Sequence, residues 1–347
     1  MTFFKSKQPW TKIKHDILEN LLASCLYSLR DGSTFTYVDG LAGAGSYEDG
    51  SKGSPLIAFD IIDTIFDVKN DLNIDAVFVE QDKNNYSYLE DCLDSIGIKH
   101  DNMNVYRKGT NTLNIHHKQA DFNDISDIAL QFSGRHPGLT FIDPFGIKDL
   151  SDKVCQDIRK LNPKMNLVIN FAIGTMKRLV GQGKVYAATQ KTLEESMGVG
   201  YVEDNAEFFK KYKNQLKERY SGVSWLPLKN TRNRELFYMM LCTNDIYLFQ
   251  KFNDYAHEEK ESTSLDCDAK VLTHIPKKPQ SIKNILFSLM NYEYALFKTS
   301  DYLKSMRRLL KQEKISRAPR YNSKVFTHDD KGITLKTLHN GGYLKNE

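Results

Sequence analysis

Cysteine is scarce in this sequence and carries no pairing pattern. Five occur in 347 residues (Cys25, Cys92, Cys155, Cys242, Cys267), with no C-x-x-C, and an odd number cannot all pair internally. A disulfide framework and a cysteine-held metal site are therefore not expected, and a reducing, cytoplasmic setting is. Proline (9) and glycine (20) are too few for collagen-like or linker-like material. No apolar run approaches the roughly 18 residues that a membrane span needs. Residues 1–5 lack the apolar core of a signal peptide, so no membrane partner is expected. A strong charge excess is missing as well: 48 Lys and Arg against 44 Asp and Glu is too mild to imply a polyanion partner by itself.

The charge is unevenly placed, however. Residues 298–336 hold eleven Lys or Arg against four Asp or Glu, a basic C-terminal stretch suited to meeting phosphate. Hydrophobic residues at 40% and charged residues at 27% are ordinary for a globular chain. At roughly 150 residues per domain, the length allows two domains.

Apolar residues at helical spacing (Ile13, Ile17, Leu18, Leu21, Leu22, Cys25, Leu26, Leu29) predict an amphipathic helix over 11–29. A β-rich run, Phe35-Thr36-Tyr37-Val38, ends in Asp39 and a glycine-rich turn. Ser54-Pro55 then predicts a second helix with serine as N-cap and proline at its first position. Apolar runs return at 76–79, ending in Glu80, at 139–142, ending in Asp143, and at 167–169, ending in Asn170. Helical stretches over 86–96 and 152–161 separate them, and a late strand over 235–242 precedes a helix over 246–256. Near-continuous apolar strands alternating with helices predict an α/β fold, a Rossmann-like parallel sheet with helices on both faces. The polar residues at strand ends lie where such sheets bind ligands.

Residues 258–280 are polar and predict a linker. Beyond them come helices over 282–296 and 300–312, the second capped by Thr299-Ser300, then β-like runs near Ile315 and over 332–338. Helix, turn, helix and a two-stranded ribbon is the outline of a winged helix. The expected division is a domain over 1–257, a linker over 258–280 and a small basic winged-helix-like module over 281–347.

Asp39-Gly40-Leu41-Ala42-Gly43-Ala44-Gly45 is the most informative stretch. Glycines at a strand-to-helix turn let backbone approach a ligand, and the helix start favours an anionic group. Glu48 stands where a dinucleotide fingerprint needs a third Gly or Ala, which disfavours NAD. Residues 50–54 lack the Gly-Lys-Ser/Thr succession of a phosphate loop. The remaining pattern, acid-x-x-x-Gly-x-Gly, resembles motif I of class I S-adenosylmethionine methyltransferases and implies that cofactor. In that family the acid anchors the methionine ammonium through the loop and the glycines make room, which assigns Asp39, Gly43 and Gly45. The resemblance also implies a ribose-binding role for Glu80. Asp121 and Phe122 suit an adenine site, a carboxylate for the exocyclic amine and an aromatic face. A tight turn with capping acids is the alternative reading.

Asp143-Pro144-Phe145-Gly146 resembles the Asp-Pro-Pro-Tyr/Phe signature of amino methyltransferases acting on nucleic-acid bases. It implies that Asp143 and the Pro144 carbonyl accept hydrogen bonds from the target amine. Phe145 stands where the second proline would be and Gly146 replaces the stacking aromatic, which leaves Phe145 to stack on a flipped base. The alternative is a turn built by Asp-Pro and Gly.

Together with Lys14-His15-x-Ile17-Leu18, Tyr47-Glu48-Asp49-Gly50 and Gly53-Ser54-Pro55-Leu56-Ile57-Ala58, these runs make the chain similar to the three-Cys-motif partner family. Its members are methyltransferase-like bacterial and phage proteins, and the family name implies a protein partner with a three-cysteine, radical-type motif. Lys14 and His15 either reach the cofactor or lie on an exposed helix face. His116-His117 reads as a solvated pair, so no metal is expected. Tyr292, Tyr294 and Phe297 read as winged-helix core rather than as a base-stacking platform. Lys304, Arg307, Arg308 and Lys311 recur at helical spacing, with Leu303, Met306, Leu309 and Leu310 for the core face, and would offer phosphates a basic surface. The expected function is S-adenosylmethionine-dependent methylation of nucleic acid, a base amine first. The alternatives are methylation of a protein or small molecule, and a non-catalytic methyltransferase-fold module. That module would bind nucleic acid or a partner protein, in a phage-defence or mobile-element setting.

Overall fold

The structure is a computed structural model. It describes residues 9–97, 104–124, 136–144, 146, 150–171, 187–200, 202, 205–229, 235–258, 267–275, 280–292, 296–312, 314–317 and 343–346. The chain divides into two compact units, Met1–Asn244 and Asp245–Glu347.

The first unit begins with α1 (Pro9–Tyr27), β1 (Thr34–Asp39), α2 (Ser54–Phe66), β2 (Asn73–Glu80), α3 (Lys83–Ser95), β3 (Val105–Lys108) and β4 (Asn111–Gln119). It continues with β5 (Gly138–Ile142), α4 (Asp152–Leu161), β6 (Met165–Phe171), α5 (Ala187–Met197), α6 (Asn205–Lys217), β7 (Gly222–Lys229) and β8 (Glu235–Thr243). Eight strands form one sheet in the order β3-β4-β2-β1-β5-β6-β8-β7. The strands β4, β2, β1, β5 and β6 are parallel, whereas β3 is antiparallel to β4, and β8 is antiparallel to β6 and β7. Every residue of β5 and β6 is buried, and all of β1 after Thr34, so both faces of the sheet are covered. This is the Rossmann-like α/β sheet that the alternating apolar runs predict. β1 lies between β2 and β5, so the chain leaves β1 toward one half of the sheet and later returns to its other side. The carboxyl ends of β1 and β5 therefore flank the topological switch point, the usual ligand crevice of such sheets.

Helix α2 buries Leu56, Ala58, Ile61, Ile62, Ile65 and Phe66, each large side chain contributing about 1.5–3 kcal/mol. Its start differs from the expectation. Gly53 is the N-cap and Ser54 the first helical residue. The Gly53 N–H is spent on the Gly45 carbonyl at 2.8 Å, and a Cβ at Gly53 would lie 2.7 Å from that oxygen. Close approach of two backbone segments selects glycine here, and the cap position moves with it.

The second unit contains α7 (Ile246–Glu258), α8 (Cys267–His274), β9 (Gln280–Ser281), α9 (Ile282–Tyr292), α10 (Thr299–Lys311), β10 (Ile315–Arg317) and β11 (Tyr343–Asn346). Its three short strands pair antiparallel in the order β10-β11-β9. The expected linker holds a helix, α8, because Val271 and Ile275 find buried positions that an isolated polar stretch would not offer. The unit boundary precedes α7, which was expected in the first domain. α10 is not capped by Thr299-Ser300. Instead Asp254 of α7 accepts from the Thr299 N–H at 2.7 Å and its hydroxyl at 2.8 Å. The β-like run expected over 332–338 lies outside the described residues. Among the described residues, no helix is long and apolar enough to cross a membrane.

Candidate functional site

The glycine loop after β1 is suspended between the two neighbouring strands. Gly40 N–H donates to the Phe141 carbonyl of β5 at 2.9 Å, and Ala42 N–H to the Val79 carbonyl of β2 at 2.8 Å. Gly43 then takes a left-handed conformation, φ +64°, which turns its N–H onto Glu80 Oε2 at 2.8 Å. The other oxygen, Oε1, accepts from the Asp82 N–H at 2.7 Å. Glu80 thus ties the loop to the start of α3, and each carboxylate oxygen has a second lone pair. Gly45, also at positive φ, continues the loop over Leu89 and Cys92 of α3.

Asp121 and Phe122 part company. Asp121 is exposed, and its Oδ1 accepts from the Asn123 N–H at 2.9 Å. Phe122 is buried in the core with Val38, Val79 and Ile142. A Cβ at Gly40 would meet the Phe122 ring at 2.7–2.8 Å, so the ring lies beneath the loop rather than standing open as an adenine face.

Asp39 is fully buried at the end of β1, and its Oδ2 has no hydrogen-bond partner. Burial pushes its carboxyl up to about 7. The Ser54 side chain and the Leu41 N–H pull it back, while the Asp143 and Glu80 carboxylates add to the rise. Asp143, at the end of β5, is held on both oxygens: Lys14 Nζ donates to Oδ2 at 2.5 Å and Asn170 Nδ2 to Oδ1 at 2.6 Å. Lys14 is buried, with its ammonium 5.5 Å from the centre of the Phe237 ring. His15 is buried too, its ring 6.3 Å from that of Tyr47. Burial raises the Tyr47 phenol well above its ordinary value, and Asp143, Asp49 and Asp39 push the same way. Pro144 is buried; Phe145 lies outside the described residues.

Three strands and α1 therefore bring Asp39, Glu80, Asp143 and Lys14 to one end of the sheet. Three carboxyl groups against one ammonium make a crevice suited to a cationic ligand. Of the two alternatives for Lys14 and His15, the exposed face is excluded. In the sequence Asn170 stands out only by its place at a strand end, and nothing there pairs it with Asp143. Tyr47 had no signal beyond its motif. His117 is not solvated: its Nδ1 meets the Tyr86 hydroxyl at 2.8 Å, and its side chain is 9% exposed. Among the described residues no group of three His, Cys, Asp or Glu side chains could hold a metal.

In the second unit the basic side chains of α10 differ from one another. Lys304 is exposed and lies 3.5 Å from Asp301, and Lys311 is exposed in the last turn. Arg307 is half-buried. Arg308 forms a fork with Asp268 of α8, Nε to Oδ2 at 2.6 Å and one terminal nitrogen to Oδ1 at 2.5 Å. Phe297 is buried as expected, Tyr294 lies outside the described residues, and Tyr292 is exposed, against expectation.

No protein-family model matches this sequence, and no curated protein matches it. Solved structures similar to it include a candidate rRNA methylase from Clostridium thermocellum, at 8% identity and TM-score 0.35, covering 69% of this chain and 99% of that one. A candidate class I S-adenosylmethionine-dependent methyltransferase from Listeria monocytogenes has 9% identity and TM-score 0.34, covering 67% of this chain and 60% of that one. A methyltransferase of the same cofactor class from Aquifex aeolicus has 12% identity and TM-score 0.31, covering 68% of this chain and 90% of that one.

Proposed function

We propose that this chain is an S-adenosylmethionine-dependent methyltransferase whose acceptor is a nucleic-acid base amine. The observation that carries the reading is Asp39. A buried carboxylate oxygen without a partner costs about 1–3 kcal/mol, and here it sits beside a left-handed glycine turn at the switch point. Such an acceptor fits the ammonium of a cationic cofactor, directly or through the loop. The Glu80 oxygens would accept ribose hydroxyls with their remaining lone pairs, and the glycines at 43 and 45 keep side chains out of the path. Bound S-adenosylmethionine would supply an electrophilic methyl group on a sulfonium.

The remaining work falls to the chain's own residues. Lys14 and Asn170 fix the Asp143 carboxylate in one orientation, and each oxygen keeps a lone pair for an amine N–H. An amine held that way presents its nitrogen lone pair in a set direction, which is the positional part of catalysis. Asp121 would contribute at the rim, while Phe122 supports the loop from below. The nucleic-acid acceptor is supported by Asp143-Pro144 and by the charge of the second unit, 18 Lys and Arg against 13 Asp and Glu. We read residues 281–347 of it as a winged-helix-like module with Lys304, Arg307 and Lys311 toward phosphate. The resemblance to the three-Cys-motif partner family, with a protein partner of that motif, belongs to the same reading.

One observation favours a second reading. Both Glu80 oxygens already accept backbone N–H groups, as they would in a module that keeps only the fold. Titration calorimetry with S-adenosylmethionine on the full chain separates the two. The methyltransferase binds, and Asp39→Asn and Glu80→Ala bind at least tenfold more weakly. Asp143→Asn binds normally but loses methyl transfer to RNA or DNA by 100-fold or more. Absence of binding overturns the proposal.

A further inference from the structure

We propose that Tyr292, set between Lys270 and His274, is a stacking platform for one unpaired base of a single-stranded nucleic acid. The inference rests on the nucleic-acid reading above and narrows it to a strand form.

Tyr292 ends α9 with 64% of its surface exposed. The Lys270 ammonium lies over its ring at 4.7 Å from the centre, and the His274 ring meets it edge-on at 4.7 Å and 74°. Lys270 and His274 are one helical turn apart on α8, so both reach α9 from the same side. The imidazole is itself held. His274 Nδ1 lies 2.9 Å from the Lys270 carbonyl and 3.0 Å from the Thr273 hydroxyl. That carbonyl accepts from the Thr273 hydroxyl at 2.8 Å.

The ring therefore has the Lys270 ammonium over it and the His274 ring edge-on against it, while most of the residue stays exposed. An aromatic ring ordered in advance loses little conformational freedom when a flat partner arrives. Every base has a π-face, and an adjacent cation favours the phosphates on either side, the combination by which single strands are held without reading sequence. The surroundings favour this partner over a protein. Among the described residues of the unit no other large apolar side chain is exposed, whereas the core of a protein interface gathers several. The unit's excess of Lys and Arg over Asp and Glu complements a polyanion. A duplex keeps its bases stacked on one another, and the platform cannot reach them.

The test is fluorescence anisotropy with the full chain and a labelled ten-nucleotide single strand, oligothymidine or oligouridine, beside a duplex of equal length. Tyr292→Ala should bind the single strand about tenfold more weakly and the duplex unchanged. Tyr292→Phe should match the parent, and Lys270→Ala should flatten the single-strand salt slope by about 0.7. If the parent binds oligonucleotides and Tyr292→Ala binds the single strand as well, the platform is refuted, the nucleic-acid reading stands, and the surface is left to a protein. Equal losses on single strand and duplex also refute it. If the parent binds neither form, the nucleic-acid reading itself fails and the platform with it.

Discussion

Lys14 and Asp143 stand 129 positions apart in the chain, and their side chains meet at 2.5 Å in an ion pair whose members are 10% and 24% exposed. The contact makes α1 part of the site, because its ammonium is the only cation among the described residues shown bonded to the three clustered acids. With Asn170 on the other oxygen, it fixes where the Asp143 carboxylate points.

Removing this cation should cost more than a surface charge would. Lys14→Met leaves a largely buried carboxylate uncompensated, and we expect a loss of about 2–3 kcal/mol in urea unfolding. Lys14→Met combined with Asp143→Asn should recover part of that loss, since the stranded charge is gone. Purely additive losses would mean that the pair is not coupled.

Stability should depend on pH through Asp39. Its folded-state value of about 7 lies above the 3.8 of a free side chain, so the folded chain holds the proton more tightly. The stabilising contribution is present below about pH 4 and is lost as pH rises toward about 7. Thermal unfolding of Asp39→Asn should lack this part of the pH slope and exceed the parent above pH 7. Binding of S-adenosylmethionine, a cation, should tighten as pH rises through the same window. A parent and Asp39→Asn with parallel pH profiles would contradict both expectations.

The loop should not tolerate a methyl group at Gly53. A Cβ there would sit 2.7 Å from the Gly45 carbonyl oxygen, a backbone atom that cannot swing aside. Gly53→Ala should cost about 1–3 kcal/mol and lower cofactor affinity at least tenfold by displacing Gly43 and Gly45. Calorimetry showing parental affinity would place the loop outside the binding site.

Arg308 and its neighbours on α10 should separate by readout. Arg308→Ala and Asp268→Asn should each lower the melting temperature, by about 0.5–1 kcal/mol of stability for a half-exposed fork, because they join α8 to α10. Lys304→Ala with Lys311→Ala should leave melting unchanged and flatten the salt dependence of nucleic-acid binding by one to two units. An unchanged slope in the double variant would remove this helix as a phosphate-contacting face.

Much of the first unit was legible in the residues themselves. The helix predicted over 152–161 is α4, and the apolar runs followed by Asp39, Glu80, Asp143 and Asn170 lie within β1, β2, β5 and β6. Buried parallel strands must be apolar along their length, and the chain must turn polar where it leaves the sheet. The hairpin of β3 and β4 was not legible, since Tyr106-Arg107-Lys108 and Asn114 to Lys118 mix polar and apolar residues at a sheet edge. α8 is not legible in the sequence because eight residues with one buried valine carry too little periodicity.

Local pattern therefore determined β1, β2, β5, β6 and β8, the glycine turn and the acids that ring it, because each is encoded within a few consecutive residues. Only the tertiary structure decided which partner each polar or aromatic side chain meets. It put Lys14 on Asp143, Phe122 under Gly40, Asp254 over the start of α10, Arg308 on Asp268, and Tyr292 in water beneath Lys270. Those choices depend on how elements far apart in the chain pack, and periodicity along one element reports which face is buried without saying against what.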